Sequence, residues 1–107
     1  MGDYLVVLVT ASSEEQARKI AGELLAKKLI ACANLVPVRS MFIWQDQVQD
    51  EAEVLMILKT TTTAFKEKLE AEIKQLHSYE VPEIIGMPVV LGSAEYLKWI
   101  GDNITGL

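Results

Sequence analysis

The longest apolar pattern in the chain lies between residues 34 and 62 and predicts one long antiparallel β-hairpin. Its first arm, residues 35–44, is rich in the branched, aromatic and other apolar residues that favour strands. The second arm, residues 48–60, ends in five successive apolar residues, Val54 to Leu58. A strand with one wet face alternates apolar and polar residues, so this run predicts cover on both faces of the strand.

The predicted reach of this hairpin indicates assembly. An arm of about 12 residues spans ~40 Å at ~3.3 Å per residue. A compact domain of this length has a radius of gyration of only ~13 Å. The hairpin is therefore expected to extend beyond its own domain, where its exposed edges need another chain to pair with.

The first part of the chain predicts a central strand followed by a helix. Residues 4–10 form a continuous apolar run rich in valine. Ser12 stands three residues before Glu15, a capping-box spacing that starts a helix. The helix then repeats apolar residues at helical spacing, which predicts one stripe against a sheet. These residues are Ala17, Ile20, Ala21, Leu24, Leu25 and Leu29.

After the hairpin, threonines 60–63 supply hydroxyls that cap a second helix, which is expected to end near His77. Residues 84–91 predict a fourth strand, and Pro88 places it at an edge or a bulge because proline has no amide hydrogen to donate. Ser93 is positioned to cap a last short helix. The order strand, helix, strand, strand, helix, strand, helix predicts an α+β fold. Its sheet is antiparallel and ferredoxin-like (split βαβ), with an extended β-hairpin and a C-terminal helix.

Composition places these elements in one domain, residues 1–107, and excludes some classes of protein. Half of the residues are hydrophobic, more than so small a domain hides alone, which favours an oligomer. The net charge of −5 argues against a nucleic-acid-binding protein. Apolar runs fall short of the roughly 18 residues that a membrane span needs, and the start of the chain lacks the basic head of a signal peptide. A single cysteine, Cys32, excludes an internal disulfide and fits a cytoplasmic protein.

Conventional catalytic and phosphate-binding motifs are missing, so the candidate residues are single ones in unusual places. Lys59 closes the apolar run of the second arm. It either reaches out to water or acts as a partly buried cation that lines a pocket for an anionic ligand or pairs with Glu83. Trp44, at the tip of the first arm, is expected to anchor an interface, with ligand stacking as the second interpretation.

The loop after the second helix brings further candidates. Pro82 restricts the backbone before Glu83 and holds this side chain in one direction. Glu83 and Tyr79 in this loop therefore suit a ligand or an intersubunit contact. His77 is the only imidazole and Cys32 the only thiol, too few ligands to complete a soft-metal site unaided. The structural interpretation of His77 is a partner of the helix dipole at the end of the second helix, and that of Cys32 is a small buried hydrophobic residue. A nucleophilic pair of the two lacks a third, orienting group.

Four segments resemble the CutA-type divalent-cation tolerance proteins and span nearly the whole chain. They are residues 29–34 (LIACAN), 56–61 (MILKTT), 77–83 (HSYEVPE) and 95–99 (EYLKW). The resemblance implies a ferredoxin-like subunit in a tight homotrimer held by the long hairpin. It also implies similarity to the trimeric PII signalling proteins, a link to copper and other divalent metals, and no settled enzymatic activity or organic cofactor.

Carried over to this sequence, the intersubunit cleft of the family falls on four residues: Trp44, Lys59, Tyr79 and Glu83. Of the copper ligands proposed for some members, only His77 persists as a metal candidate, because Val9 and Leu76 stand where those members have cysteine and histidine. The hairpin turn has Asp46 where the family usually has glycine, and aspartate tolerates such a turn.

Three hypotheses follow. The leading one is a non-enzymatic, cytoplasmic homotrimer for tolerance of divalent cations, which binds copper or another divalent metal weakly. The alternative is a PII-like signalling trimer that holds a small anionic metabolite in its intersubunit clefts. The third is an enzyme that uses Glu83 or Tyr79 as acid or base, although no pair of titratable groups at catalytic spacing is evident.

Overall fold

A computed structural model describes residues 3–105 of the chain. Four strands and a set of helices form an α+β fold, as predicted. The strands are β1 (Tyr4–Ala11), β2 (Cys32–Trp44), β3 (Gln47–Thr61) and β4 (Ile85–Pro88). The helices are α1 (Glu14–Ala26), α2 (Thr62–Ala64), α3 (Glu70–Leu76) and α4 (Ala94–Asp102), with a π-helical turn (Phe65–Leu69) joining α2 to α3. None of the helices in residues 3–105 is long and apolar enough to cross a membrane.

The strands form one antiparallel sheet in the order β2-β3-β1-β4. Pro88 predicted an edge position or a bulge, and the structure shows the edge position. Within residues 3–105 β4 pairs with β1 alone, and Pro88 lies opposite Leu5 at the end of the strand. The strand is shorter than the predicted 84–91 and stops at this proline. A residue without an amide hydrogen cannot continue the ladder, and the chain after it leaves the sheet.

The hairpin of β2 and β3 projects from the sheet as predicted. Trp44 pairs with Gln47 across a two-residue turn in which Gln45 and Asp46 have φ angles of 53° and 63°. Two left-handed residues in succession define the type I′ turn that suits a twisted hairpin. Strand β1 pairs with β3 only as far as Val54, so residues 38–53 form a two-stranded ribbon beyond the sheet. The long dimension of the subunit is 43 Å.

The hydrophobic core lies between the helices and one face of the sheet, here called the helix face. Alternate residues of β1 and β3 point into it, because side chains of a strand alternate between its faces. The core residues of these strands are almost inaccessible to solvent: Leu5, Val7, Val9, Ala11, Val54, Met56 and Leu58. Gly86 of β4 also lies on this face, where an added Cβ would approach Leu5 Cδ1 to 3.3 Å.

The opposite face of the sheet, here called the second face, is also apolar but stays partly open in the single chain. By alternation and strand register it presents Val6, Leu8, Val36, Leu55, Ile57, Ile85 and Met87. Helix α4 contacts β3, yet Val36, Ile85 and Met87 remain 38%, 50% and 42% exposed. The single chain therefore covers one face fully and leaves the other face partly exposed, so the predicted cover on both faces is incomplete within one chain.

Helix starts agree with the sequence in two cases out of three. The side chains of Thr61 and Ser93 cap α2 and α4, as expected. For α1 the predicted cap Ser12 is wrong by one residue, because Ser13 accepts the amide hydrogen of Gln16. The Ser12 amide in turn donates to Gln16 Oε1. The side chain that accepts a backbone amide at the start of the helix is therefore that of Gln16 and not that of Glu15.

Candidate functional site

A cleft lies between the hairpin ribbon and the segment that follows α3. Its volume is about 580 Å³. Strand β1 contributes its end, the ribbon contributes both of its strands, and residues 79–83 form the opposite wall. The lining residues are Thr10, Arg39, Ser40, Met41, Phe42, Glu53, Tyr79, Val81, Pro82 and Glu83. We call this the Tyr79 cleft.

The wall of the cleft is fixed by a hydrogen bond between Tyr79 and Glu53. The phenolic hydroxyl donates to Glu53 Oε2 at 2.5 Å, and only 6% of Glu53 is exposed. Burial, reinforced by the neighbouring Glu53 carboxylate, raises the pKa of Tyr79 well above its ordinary value. Tyr79 therefore stays protonated at physiological pH and acts as a donor to a buried carboxylate.

Glu83 brings a second carboxylate to the same cleft. Partial burial raises the pKa of Glu83, and the charge of Glu53 raises it further. Arg39 lies on the ribbon side, where its Nε is 2.7 Å from Asp50 Oδ1. The inner part of the cleft therefore carries acidic groups that attract a proton or a cation, while the arginine is already paired at the surface.

A smaller cavity of about 340 Å³ lies beside the first, towards the tip of the hairpin. Trp44 and Phe42 line it from β2, and Tyr79 lines it from the segment after α3. Trp44 remains 40% exposed. Tyr79 thus belongs to both cavities, and the structure brings two of the predicted cleft residues, Trp44 and Tyr79, to one place.

Lys59 lies elsewhere on the sheet. Its ammonium donates to Asn34 Oδ1 and lies 3.9 Å from Cys32 Sγ. Lys59 follows Glu53 by six residues along β3, a separation of ~20 Å at strand spacing. The suggested pairing of Lys59 with Glu83 is therefore wrong within one chain. The predicted cleft that joins all four residues across subunits stays a prediction.

His77 uses both of its ring nitrogens in hydrogen bonds. Nε2 lies 2.7 Å from the carbonyl oxygen of Thr10, and Nδ1 accepts the amide hydrogen of Tyr79 at 3.1 Å. A metal can therefore bind this imidazole only by replacing one of the two bonds, and His77 as a metal ligand stays a prediction.

The other positions considered for metal binding do not converge on His77. Val9 points into the core, Leu76 packs against it, and Cys32 lies near the far end of the sheet beside Lys59. No group of three or more histidine, cysteine, aspartate or glutamate side chains within residues 3–105 is arranged to hold a metal ion. The same separation rules out a nucleophilic pair of Cys32 and His77 within the chain.

Sequence reasoning missed Glu53 and Thr10. Glu53 did carry a signal, because alternation places it on the same face of β3 as Leu55 and Ile57, where a carboxylate needs a partner. Thr10 acts through its backbone carbonyl, a group that every residue type has. No sequence pattern identifies such a contact.

Comparison with known proteins gives the family. The model of the CutA1 divalent ion tolerance protein family matches residues 5–103. The divalent-cation tolerance protein CutA of Thermus thermophilus is 48% identical over 99 residues, which cover 92% of this chain and 95% of that protein.

Solved structures give the same result. A structure of the Thermus thermophilus protein aligns with a TM-score of 0.90 at 46% identity, covering 94% of this chain and 98% of the other. The protein described as the periplasmic divalent cation tolerance protein CutA of Archaeoglobus fulgidus aligns with a TM-score of 0.90 at 39% identity, covering 94% and 97%. The chain therefore belongs to the CutA1 divalent ion tolerance protein family.

Proposed function

We propose that the protein is a non-enzymatic homotrimer of the cytoplasm that serves tolerance of divalent cations and binds copper or another divalent metal weakly. The observation that carries this proposal is the match to the CutA1 family over residues 5–103. The names of the relatives refer to divalent-cation tolerance. Weak binding fits an acidic protein whose residues 3–105 contain no preformed cluster of metal ligands.

Two features of the chain support the homotrimer. The second face exposes apolar side chains that a partner chain would cover, Ile85 and Met87 among them. The ribbon of residues 38–53 is a two-stranded hairpin, which is marginally stable in water without packing. Three of its apolar side chains, Met41, Ile43 and Val48, are at least 70% exposed. Partner chains would cover both regions.

Among the described residues, Cys32 and His77 do not form the nucleophilic pair that an enzyme would need from them. Cys32 has Lys59 and Asn34 as neighbours, and no imidazole contacts it in residues 3–105. His77 is committed to two backbone groups, so it has no free nitrogen to act as a general base.

Equilibrium dialysis against Cu²⁺ and Zn²⁺ tests the binding proposal. We expect saturable binding, with Cu²⁺ bound more tightly than Zn²⁺ because nitrogen and oxygen ligands follow that order. Dialysis in the presence of a chelator is the control for non-specific retention. Failure of both ions to bind at millimolar concentration would remove direct metal binding from the proposed function.

An alternative function, a PII-like sensor of an anionic metabolite, is favoured by one observation. The half-buried ammonium of Lys59 has an amide oxygen and a thiol as its neighbours, and none of the ion pairs formed by residues 3–105 includes it. A partly buried cation without a carboxylate partner is suited to an anion. The predicted intersubunit cleft of Trp44, Lys59, Tyr79 and Glu83 would supply the remaining contacts.

A thermal-shift screen of phosphates, nucleotides and small carboxylates tests this alternative. A ligand at 100 times its dissociation constant adds about 2.7 kcal/mol to the free energy of unfolding. The Lys59→Met variant should lose that shift, since it keeps the length of the side chain but not its charge. A screen without a single stabilising anion would count against the sensor.

A further inference from the structure

The hydrogen bonds of His77 fix its protonation state and its tautomer. The carbonyl oxygen of Thr10 can only accept a hydrogen bond, so Nε2, 2.7 Å away, carries the proton. The amide of Tyr79 can only donate, so Nδ1 presents its lone pair to that amide. The ring is therefore a neutral imidazole that bridges the end of β1 and the segment after α3.

This arrangement uses the part of the ring that a metal would need. A neutral imidazole offers a metal ion one nitrogen lone pair, because the other nitrogen is protonated. In this chain that lone pair accepts the amide hydrogen of Tyr79, and His77 is only 8% exposed. Binding a metal would break the bond and leave a backbone amide to find another acceptor.

The bond to His77 holds one end of Tyr79, and Glu53 holds the other. The two rings of His77 and Tyr79 also pack with their centroids 4.7 Å apart. Residues 77–84 form neither helix nor strand, so these side-chain contacts replace the regular backbone bonds that would otherwise fix the segment. Tyr79 in turn lines both cavities beside the hairpin.

We infer that His77 is the positioning residue that fixes Tyr79 in the wall of the cleft, and that it is not the metal ligand which the family resemblance suggests. The inference concerns contacts within one subunit. Only the statement about metal rests on the proposed divalent-cation function. The positioning of Tyr79 and the binding of metal are therefore measured in separate experiments.

Hydrogen exchange of the Tyr79 amide tests the positioning role. In His77→Asn the shorter side chain can still accept the amide hydrogen two residues ahead, as asparagine does in an Asx turn. In His77→Ala no acceptor remains. We expect the amide to be protected in the wild type and in His77→Asn, and to exchange about 5-fold faster in His77→Ala, since a hydrogen bond contributes about 1 kcal/mol. Equal exchange in the wild type and His77→Ala would overturn the positioning role.

Nitrogen chemical shifts of the His77 ring give a second readout, because they report the tautomer, which depends on the hydrogen bonds of the ring and not on its packing. The wild type should show the neutral tautomer with the proton on Nε2. A ring protonated on Nδ1 would contradict the assigned hydrogen bonds.

Dialysis of the same three proteins against Cu²⁺ alone tests the statement about metal. Both variants remove the imidazole, and His77→Asn is the matched control because it keeps the bond to Tyr79. We expect the three binding curves to coincide. A loss of Cu²⁺ binding in His77→Asn, with the Tyr79 amide still protected, would show that the imidazole is a ligand and overturn the inference. If the wild type itself binds no Cu²⁺, the binding proposal fails, while the exchange data still decide the positioning role.

Discussion

Met87→Glu is expected to dissociate the proposed homotrimer at micromolar concentration. Met87 lies opposite Val6 on the second face and is 42% exposed in the single chain. Glutamate has nearly the length of methionine, so the change adds a charge with little change in shape. A carboxylate buried between subunits without a partner costs about 3 kcal/mol or more per subunit, over 100-fold in the association constant. Sedimentation velocity measures the loss of the trimer.

Leu25→Glu is the matched control. Leu25 is also 42% exposed, but it lies on α1, away from the second face. A charge that remains in water there costs within about 0.5 kcal/mol, so the trimer should persist. We further expect the dissociated Met87→Glu chain to be unstable, since its ribbon and second face lose their cover. A wild-type chain that sediments as a folded monomer at low micromolar concentration would contradict the trimer, and so would equal sedimentation of the two variants.

The long hairpin shows what hydrophobic patterning can predict. The run Val54 to Leu58 implied cover on both faces, and the structure places alternate members of it in the core and on the second face. The order of elements along the chain also follows from the pattern, and one proline predicts an edge or a bulge for β4. These properties depend on local sequence and on the alternation of side chains, which can be counted along the chain.

The site was less predictable because it depends on long-range contacts. The bond from His77 to Thr10 joins residues 67 positions apart, and that from Tyr79 to Glu53 joins residues 26 apart. The sequence identified Tyr79 and Glu83 as loop residues of interest, but it offered Lys59, which lies at the other end of β3, as one possible partner of Glu83. Charge complementarity favoured Lys59, but the position of each residue along β3 decides which charges meet, and Glu83 lies near Glu53 instead.

Tyr79→Phe is expected to lower the free energy of unfolding by about 1–3 kcal/mol at neutral pH, the cost of leaving a buried polar group without its partner. The variant keeps the ring, so it removes only the hydroxyl that donates to Glu53. Urea unfolding at fixed protein concentration measures the change. The double variant Glu53→Leu with Tyr79→Phe should recover most of the loss, because it removes both polar groups together. Additive losses in the double variant would mean that the hydrogen bond contributes nothing.

The pH dependence of this difference tests whether folding raises the pKa of Tyr79. The pKa of Tyr79 is raised in the folded protein, primarily by burial. In the unfolded chain a tyrosine ionises near its ordinary pKa of about 10. The folded state therefore holds the Tyr79 proton more strongly, a contribution fully present below about pH 10 and lost as the pH rises towards the folded-state pKa. The stability difference between wild type and Tyr79→Phe should stay constant from pH 7 to about pH 9 and shrink at higher pH, because phenylalanine has no proton to lose. A difference that is unchanged through about pH 11 would mean that folding does not raise the pKa of Tyr79.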